Sequence, residues 1–275
     1  FDYTVAATAP CSPSIATFTV TIVDNIALTN PSPIAFCEDV LGEGQVANVD
    51  LTQYNSSIFA SGGLYTWANG NVQTITDGMS INVEVESGGC VNDIDVTFIV
   101  NSLPDAIITG GNTICEGDDI PELTIDFTSG SAPWTVEFAD GSITTTSDNP
   151  YVFTPTTVGT YTIVSISDLN ACLNDAVVSS TTIDVSVPVA LFDLDPESGI
   201  IPLEVSFSNN SIATNPNFIW NFGDGSLSSN EENPTHTYES LGSFVAELIV
   251  IDDFGCTDTL SVDILAEGGS SVKIP

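Results

Sequence analysis

Apolar and polar residues alternate along much of this chain, which is the pattern of β-strands that bury one face. The alternation is clearest in two segments that begin at a glycine, residues 159–168 and 242–252, and residues 78–85 form a shorter version. A cysteine follows each glycine roughly a dozen residues later. The pattern predicts an all-β chain that contains repeated units.

A second repeated feature is a strand followed by a tight turn. The stretch from Trp220 to Tyr238 starts as an alternating strand, turns at the glycines beside Asp224, and enters another strand at its end. Residues 134–150 repeat this layout with the same spacing to an Asn-Pro pair, and residues 65–71 contain a shortened form. Repeats of this length favour a tandem array of modules.

The composition agrees with β-sandwiches, because Thr, Val, Ile, Ser, Asn and Gly dominate and helix formers are scarce. No apolar run reaches the 18 residues of a membrane span, so we expect no direct insertion into a membrane. No signal peptide is visible and Phe1 begins in the middle of a strand pattern. We therefore expect the chain to be an excerpt of a longer exported protein.

The charge balance limits the possible partners. The chain has 37 acidic residues and one basic residue, Lys273, for a net charge of −36. Such a surface repels nucleic acid and anionic lipid headgroups, so neither is expected as a partner. The carboxylates either stay dispersed in water or are screened by divalent cations. The acidity could also reflect a saline habitat.

The repeats and the proline-containing junctions predict the domain boundaries. We expect a semi-rigid, elongated rod, because proline stiffens each short link. The predicted units are the last strands of a truncated repeat at 1–29, two complete Ig-like sandwiches at 30–102 and 103–187, a third sandwich at 188–266, and a flexible linker at 267–275.

The six cysteines occur in two contexts. Opening cysteines begin a unit, and closing cysteines precede its final strand; Cys37 and Cys115 are opening, and Cys11, Cys90, Cys172 and Cys256 are closing. The repeat predicts disulfides Cys37–Cys90 and Cys115–Cys172, each closing a loop of ~55 residues and contributing about 4 kcal/mol. Buried free thiols are the alternative. Bridges would place the chain in an oxidising compartment outside the cytoplasm.

Two cysteines have no opening partner in their own unit. Cys11 would pair with a residue upstream of this chain. Cys256 could reach Cys11 only across two whole units, each about 30 Å long, so we predict a free and mostly buried thiol there.

Residues 188–266 resemble a PKD domain, which is an Ig-like β-sandwich. The resemblance is carried by Trp220, Gly223, Asp224, Gly225, Pro234, His236 and Tyr238, whereas Asn221 departs from the Asp that is usual in the family. It implies structural roles: a core tryptophan, turn glycines, an aspartate bonded to turn amides, and a tyrosine hydroxyl that ties a corner. A sugar-stacking Trp220 or a catalytic His236 are the functional alternatives.

The two upstream units resemble the looser Ig-like repeats of giant secreted Bacteroidetes proteins, with Phe-Cys-Glu at the start and Gly-Cys near the end. As a whole the chain resembles SprB-like gliding-motility adhesins exported by the type IX secretion system. The terminal residues 272–275 resemble the start of a C-terminal sorting domain. The resemblance implies an extracellular location, attached to the outer membrane through that missing domain and its export machinery.

The residues offer little for catalysis, and we predict no enzyme activity. One His, one Lys and no Arg leave few acid–base groups and no anion clamp. No cofactor is expected other than Ca²⁺, for which acidic pairs supply hard oxygen ligands. The weak candidates are Asp118, Asp119, Asp193, Asp195, Asp252 and Asp253. Thr259 lies in a short motif that resembles a Bacteroidetes O-glycan acceptor.

The function predicted from these features is that of a non-catalytic stalk or adhesive segment of a large cell-surface adhesin. The alternatives are a module that binds polysaccharide or a partner protein, and the accessory portion of a secreted hydrolase. The full-length gene would discriminate among the three.

Overall fold

The computed structural model describes residues 26–269. Residues 1–25 and 270–275 lie outside the described part, and with them Cys11, most of the predicted truncated repeat, and the terminal segment 272–275. The described chain folds into three β-sandwiches in sequence order, so the predicted all-β class of tandem Ig-like and PKD-like sandwiches is confirmed.

The first sandwich contains the only helical turns in residues 26–269, a 3-10 turn at Leu51–Tyr54 and a four-residue helix α1 at Asn55–Ile58. One sheet has the order β1-β6-β5-β3, and β2 pairs with β4. The strands are β1 (Ile34–Cys37), β2 (Gln45–Asp50), β3 (Leu64–Trp67), β4 (Val72–Thr76), β5 (Ser80–Ser87) and β6 (Cys90–Asn101).

The second sandwich has a larger sheet in the order β11-β10-β13-β15-β8, with β14 paired to β13, and a smaller sheet in the order β12-β9-β7. The strands are β7 (Asp105–Thr109), β8 (Thr113–Cys115), β9 (Leu123–Ser129), β10 (Trp134–Phe138), β11 (Ile143–Thr146), β12 (Tyr151–Phe153), β13 (Gly159–Ser167), β14 (Leu173–Asn174) and β15 (Ser179–Ser186).

The third sandwich packs a sheet in the order β16-β18-β20 against one in the order β17-β22-β21-β19. The strands are β16 (Phe192–Asp195), β17 (Ser198–Ile200), β18 (Leu203–Asn209), β19 (Asn217–Asn221), β20 (Thr235–Tyr238), β21 (Gly242–Ile251) and β22 (Thr257–Glu267). Glu267, predicted to begin the linker, belongs to β22.

One pairing recurs in all three sandwiches and sets the position of the opening cysteines. A short early strand runs parallel to the last strand of the same sandwich: β1 beside β6, β8 beside β15, and β17 beside β22. Cys37 is therefore opposite Asn101, and Cys115 is opposite Ser186. An opening cysteine thus lies at the point where the chain leaves its own sandwich.

Each sandwich has a separate hydrophobic core, as expected when alternating strands turn one face inward. The largest core residue of the third sandwich is Trp220, which is fully buried and lies 5.0 Å from Phe192 and 5.3 Å from Phe207 between ring centroids. Ile26 and Leu28, assigned from the sequence to the truncated repeat, pack in the first core instead.

Neighbouring residues on β6 provide a test of the first core. Phe98 is fully buried, whereas Ile99 on the opposite face is 37% exposed. We expect Phe98→Ala to destabilise the first sandwich by about 3–5 kcal/mol because it leaves a cavity, and Ile99→Ala to cost less than about 1 kcal/mol. Native-state hydrogen exchange of the β5 and β6 amides measures both effects. Equal losses of protection in the two variants would contradict this assignment of faces.

Candidate functional site: the joints between the sandwiches

The signature aromatic residues of the third sandwich face its core. Trp220 is fully buried and its Nε1 donates to the carbonyl of Glu231 at 2.9 Å. Tyr238 is also fully buried, and its hydroxyl donates to the carbonyl of Phe222 at 2.9 Å. Burial raises the pKa of the tyrosine hydroxyl, and the nearby carboxylate of Asp224 adds to this. A buried ring has no face open to a sugar, so Trp220 is not a stacking platform.

His236 is engaged in the same hairpin. Its Nε2 lies 2.8 Å from Oδ2 of Asp224, and its ring stacks on Phe222 with centroids 4.1 Å apart. Burial raises the pKa of the Asp224 carboxyl, but hydrogen bonds from Ser226 and His236 outweigh this and bring it to about 2. The histidine therefore holds a turn together and faces no nucleophile in the described structure.

The remaining signature residues shape the turn and its return strand. Gly223 has φ of 78°, and a Cβ there would lie 2.3 Å from the carbonyl oxygen of Val245, so only glycine fits. Gly225 also has positive φ, at 83°. Pro234 is buried, and its carbonyl accepts from the N–H of Phe207 at 2.9 Å. The whole signature thus builds a hairpin.

The weak calcium candidates are not gathered into a site. In residues 26–269 no group of three or more His, Cys, Asp or Glu side chains is placed to hold a metal ion. Asp193 and Asp253 accept from Asn210 and Asn215 at 2.9 and 2.6 Å, and Asp118 accepts from the N–H of Cys115 at 3.1 Å. Asp119 and Asp195 are exposed, as is Thr259 on β22. Calcium binding and glycosylation stay predictions.

The predicted disulfide pairing is wrong. Cys37 is bonded to Cys172 and Cys115 to Cys256, with Cα–Cα distances of 5.4 and 5.3 Å. Both bridges join an opening cysteine of one sandwich to the closing cysteine of the next. The prediction of a free Cys256 is therefore wrong as well, although its burial, at 2% exposure, agrees with expectation.

Strand direction excludes the predicted pairs. Cys37 lies beside Asn101 at the end of β6, and Cys90 begins the same strand, about 35 Å away at roughly 3.3 Å per residue. In the second sandwich Cys115 and Cys172 lie beyond opposite ends of β13, at least about 25 Å apart. A disulfide needs Cα atoms within about 7 Å, so neither bridge can form.

A buried carboxylate strengthens the first joint, which is the junction between the first and second sandwiches. Glu38, next to Cys37, is 3% exposed, and its oxygens accept from the N–H groups of Gly42, Gly44 and Leu103 at 2.9, 2.7 and 2.9 Å. Leu103 belongs to the three-residue link between β6 and β7. Burial raises the pKa of Glu38, but the three backbone donors outweigh it, so its net pKa lies below the usual value.

The link of the first joint is also held by the second sandwich. The side-chain amide of Asn174 donates to the carbonyl of Pro104 at 2.9 Å, and the hydroxyl of Ser129 donates to the carbonyl of Leu103 at 2.7 Å. Pro104 itself is buried. The linking residues are therefore bonded on both sides and do not form a free hinge.

A buried carboxylate also makes a hydrogen bond across the second joint, which is the junction between the second and third sandwiches. Asp252, in the third sandwich, is 3% exposed and accepts a short hydrogen bond from the hydroxyl of Ser186, the last residue of the second sandwich. It also accepts from the N–H groups of Phe254 and Cys256 at 2.9 and 2.8 Å. The Ser186 hydrogen bond is the main cause of a lowered pKa at Asp252.

The loops that hold the two disulfide-bonded closing cysteines, Cys172 and Cys256, have the same hydrogen bonds. Asp168 accepts from the N–H of Cys172 at 3.1 Å, as Asp252 does from that of Cys256, and in both loops the aspartate N–H also donates to the cysteine carbonyl. An aspartate four residues before the closing cysteine is thus the sequence signal for this loop. Cys90 lacks it, follows a two-glycine turn, and is half-buried.

A shallow groove accompanies each joint. The groove at the first joint has a volume of about 870 Å³ and is lined by residues around Cys37, Leu103 and Val177. The groove at the second joint, about 280 Å³, is lined by residues around both cysteines of its bridge and Pro188. No His, Lys or Arg side chain of residues 26–269 lines either groove. What the joints offer is covalent and hydrogen-bonded connection between sandwiches.

Peptide mapping without reduction tests the pairing. With a single Lys and no Arg, the chain gives trypsin almost nothing to cut, whereas a protease specific for acidic residues separates all six cysteines. We expect cross-linked peptides that join Cys37 to Cys172 and Cys115 to Cys256. A major peptide that joins Cys37 to Cys90 would contradict the structure.

The pH dependence of the first joint follows from Glu38. A depressed pKa stabilises the folded joint above the unfolded value of about 4.3, and this contribution is lost as the pH falls through the folded value. We expect the Leu103 amide resonance to shift with a midpoint below pH 4.3. We also expect Glu38→Gln to speed exchange of the Leu103 amide about tenfold or more at neutral pH, because a charged acceptor is lost.

Glu43→Gln is the matched control, since the exposed carboxylate of Glu43 accepts from the side-chain amide of Gln45, at 3.2 Å. It should leave the Leu103 exchange rate unchanged. An equal effect of the two substitutions would mean that general charge, and not the Glu38 contacts, stabilises the link.

Comparisons with known proteins bear on the third sandwich. Residues 187–265 match the family model described as PKD domain. The collagenase ColA of Bacillus cereus is 39% identical over 64 residues, which are 22% of this chain and 7% of the collagenase. The chain therefore spans a small fraction of that relative.

Several solved structures are similar to parts of this chain. The PKD1 domain of Vibrio anguillarum Epp is 31% identical and covers 30% of this chain and 96% of its own, with a TM-score of 0.27. The PKD1 domain of the Vibrio cholerae metalloprotease PrtV is 33% identical over 30% of this chain and 98% of its own, with a TM-score of 0.26. The I67–I69 fragment of titin is 13% identical over 87% and 97%, with a TM-score of 0.42. From the family match and the signature hairpin, residues 187–265 are a PKD domain, as the sequence predicted.

Proposed function

We propose that this chain is a non-catalytic stalk and adhesive segment of a large secreted cell-surface adhesin. It projects a binding region away from the cell towards an external surface, a polysaccharide or a protein ligand. We further propose that the adhesin serves gliding motility and is exported by the type IX secretion system. In this proposal a C-terminal domain beyond this chain attaches it to the outer membrane.

The observation that carries the proposal is the double connection at each joint. The backbone link and a disulfide both join consecutive sandwiches, and a buried carboxylate bonds across or beside each link. Domains joined by a single linker ordinarily reorient freely. A spacer must hold its length, and two covalent connections restrict bending in the way that a spacer requires.

The disulfides and the PKD domain support an extracellular location. Disulfides persist outside the cytosol, and the PKD domain and both bridges are typical of an extracellular protein. No helix in residues 26–269 is long and apolar enough to cross a membrane. PKD and Ig-like domains are typically non-catalytic, which supports a role in connection or binding.

The net charge of −36 supports the same role. Like-charged stalks repel one another within about a Debye length, about 8 Å at physiological ionic strength, so crowded copies on one surface stay separate. With a single Lys or Arg, ion pairs between copies have almost no cationic partners.

The second candidate is the accessory portion of a secreted hydrolase. It is favoured by the similarity of 64 residues of this chain to a collagenase, and of 30% of the chain to the PKD1 domain of a metalloprotease. A third candidate is a module that itself binds polysaccharide or protein. The candidates require different properties of the segment. A stalk requires only its dimensions for the activity of the whole protein, whereas a binding module requires its own sequence.

A replacement experiment in the producing cells separates them. Residues 30–267 are deleted, replaced by three unrelated rigid sandwiches, or replaced by a Gly/Ser linker of equal residue number. For a stalk, we expect the rigid replacement to restore adhesion to near the original level, and deletion or the flexible linker to lower it severalfold. Surface display of each variant is measured in parallel by antibody labelling.

Loss of adhesion with the rigid replacement, despite normal display, would favour a binding module instead. A glycan array probed with the purified segment then identifies the ligand class. Retention of a hydrolytic activity in the full-length protein after all three replacements would favour the accessory role.

A further inference from the structure

We propose that the two disulfides make this segment a tether of limited extension, which transmits pulling force from one sandwich to the next through cross-links. Under this proposal, unfolding of the sandwiches cannot lengthen the segment to its full chain length. The inference deepens the proposed function and rests on it only for the origin of the force. The mechanical property itself follows from the connectivity.

The two bridges overlap in the sequence. Cys37–Cys172 spans 135 residues and Cys115–Cys256 spans 141. Residues 115–172, most of the second sandwich, lie inside both spans. Because the spans overlap, a covalent path through the segment can use both bridges in succession. Two bridges confined to single sandwiches could shorten the path only within each one.

The shortest covalent path sets the greatest possible length. Counting these two bridges alone, it passes from residue 1 to Cys37, across to Cys172, back along the chain to Cys115, across to Cys256, and on to residue 275. This path holds about 110 residues and stretches to about 390 Å at roughly 3.5 Å per residue. The 275 residues without bridges would stretch to about 950 Å.

Overlap also makes the limit redundant. Loss of Cys37–Cys172 leaves a path of about 130 residues, and loss of Cys115–Cys256 leaves about 140, so either change adds only about 70–100 Å. Bridges within units, as Cys37–Cys90 and Cys115–Cys172, would instead give about 165 residues with both present. The observed connectivity therefore has a numerical signature of its own.

The strands that lead into each joint are arranged to share the force. Cys37 and Asn101 are opposite each other at the ends of the parallel strands β1 and β6, and both lead covalently into the second sandwich. Cys115 and Ser186 end β8 and β15 in the same way before the third. A pull along the chain therefore acts on two adjacent strands in one direction. It loads their hydrogen bonds to the neighbouring strands together and not one after another.

Burial shields one cysteine of each bridge from exchange. Cys172 is fully buried and Cys256 is 2% exposed, so an attacking thiolate reaches these two sulfurs poorly, whereas Cys37 and Cys115 are half-buried. A tether that depends on its cross-links needs this protection, because one exchange event would release tens of residues of chain.

The third sandwich has no opening cysteine at the end of its short parallel strand. Ile200 ends β17 opposite Glu267, which is the register position of Cys37 and Cys115 in the other two sandwiches. Its side chain is 61% exposed. The covalent restraint thus includes the PKD domain through Cys256, and no cysteine at this register position continues it.

Optical tweezers on the full chain test the proposal. The chain carries protein handles at both ends, together with Cys11→Ser and Cys90→Ser, so that cross-links are confined to the two bridges. We expect a fully stretched length equivalent to about 110 residues without reductant and to about 275 after reduction. A variant in which all six cysteines are replaced by serine lacks both bridges and should give about 275 residues without reductant, which controls for effects of the reductant.

Single-bridge variants make the result specific. Cys37→Ser with Cys172→Ser should give about 130 residues, and Cys115→Ser with Cys256→Ser about 140. A length near 275 residues in the parent, or near 165, would overturn the proposal. It would also be overturned if the length gained on removal of both bridges equalled the sum of the lengths gained on removal of each bridge alone. None of these lengths depends on the adhesin role. A failed replacement experiment in cells would therefore count against the adhesin role and would leave these measured lengths unaffected.

Discussion

The parallel pairing of a short opening strand with the last strand of each sandwich is the constraint on which the joints depend. It brings Cys37 beside Asn101 and Cys115 beside Ser186, where the chain leaves each sandwich. The closing cysteine lies at the opposite end, in the loop before the last strand. A bridge within one sandwich would have to cross its full length, whereas a bridge between consecutive sandwiches needs only that their ends meet.

The same constraint explains which features could be predicted from the sequence. Strand alternation is local, so the pattern at residues 242–252 correctly indicates that Leu248 and Val250 face the core. The PKD signature is also local and identified its domain. Cysteine pairing depends on the direction in which distant strands run, and spacing along the chain does not contain that information. The repeated spacing of opening and closing cysteines therefore suggested the wrong partners.

The joint carboxylates were hidden for a different reason. Among 37 acidic residues, Glu38 looks like any solvated surface group, and its burial depends on Leu103, 65 residues away. A chain with one Lys or Arg has almost no cations to pair with a buried carboxylate, so backbone N–H groups and a serine hydroxyl take that part. The one readable signal was the aspartate four residues before Cys172 and Cys256, which requires knowledge of the loop to interpret.

The location of the bridges has a physical rationale. Inside a sandwich the hydrophobic core already fixes the fold, so a cross-link there would mainly restrict the unfolded chain. At a joint, a single backbone link would leave the orientation of the two domains free. A disulfide there restricts the folded state itself. Because the second sandwich takes part in both bridges, it is held at both ends. Ile200 stands in the place of an opening cysteine, so no bridge leads onward from this position of the PKD domain.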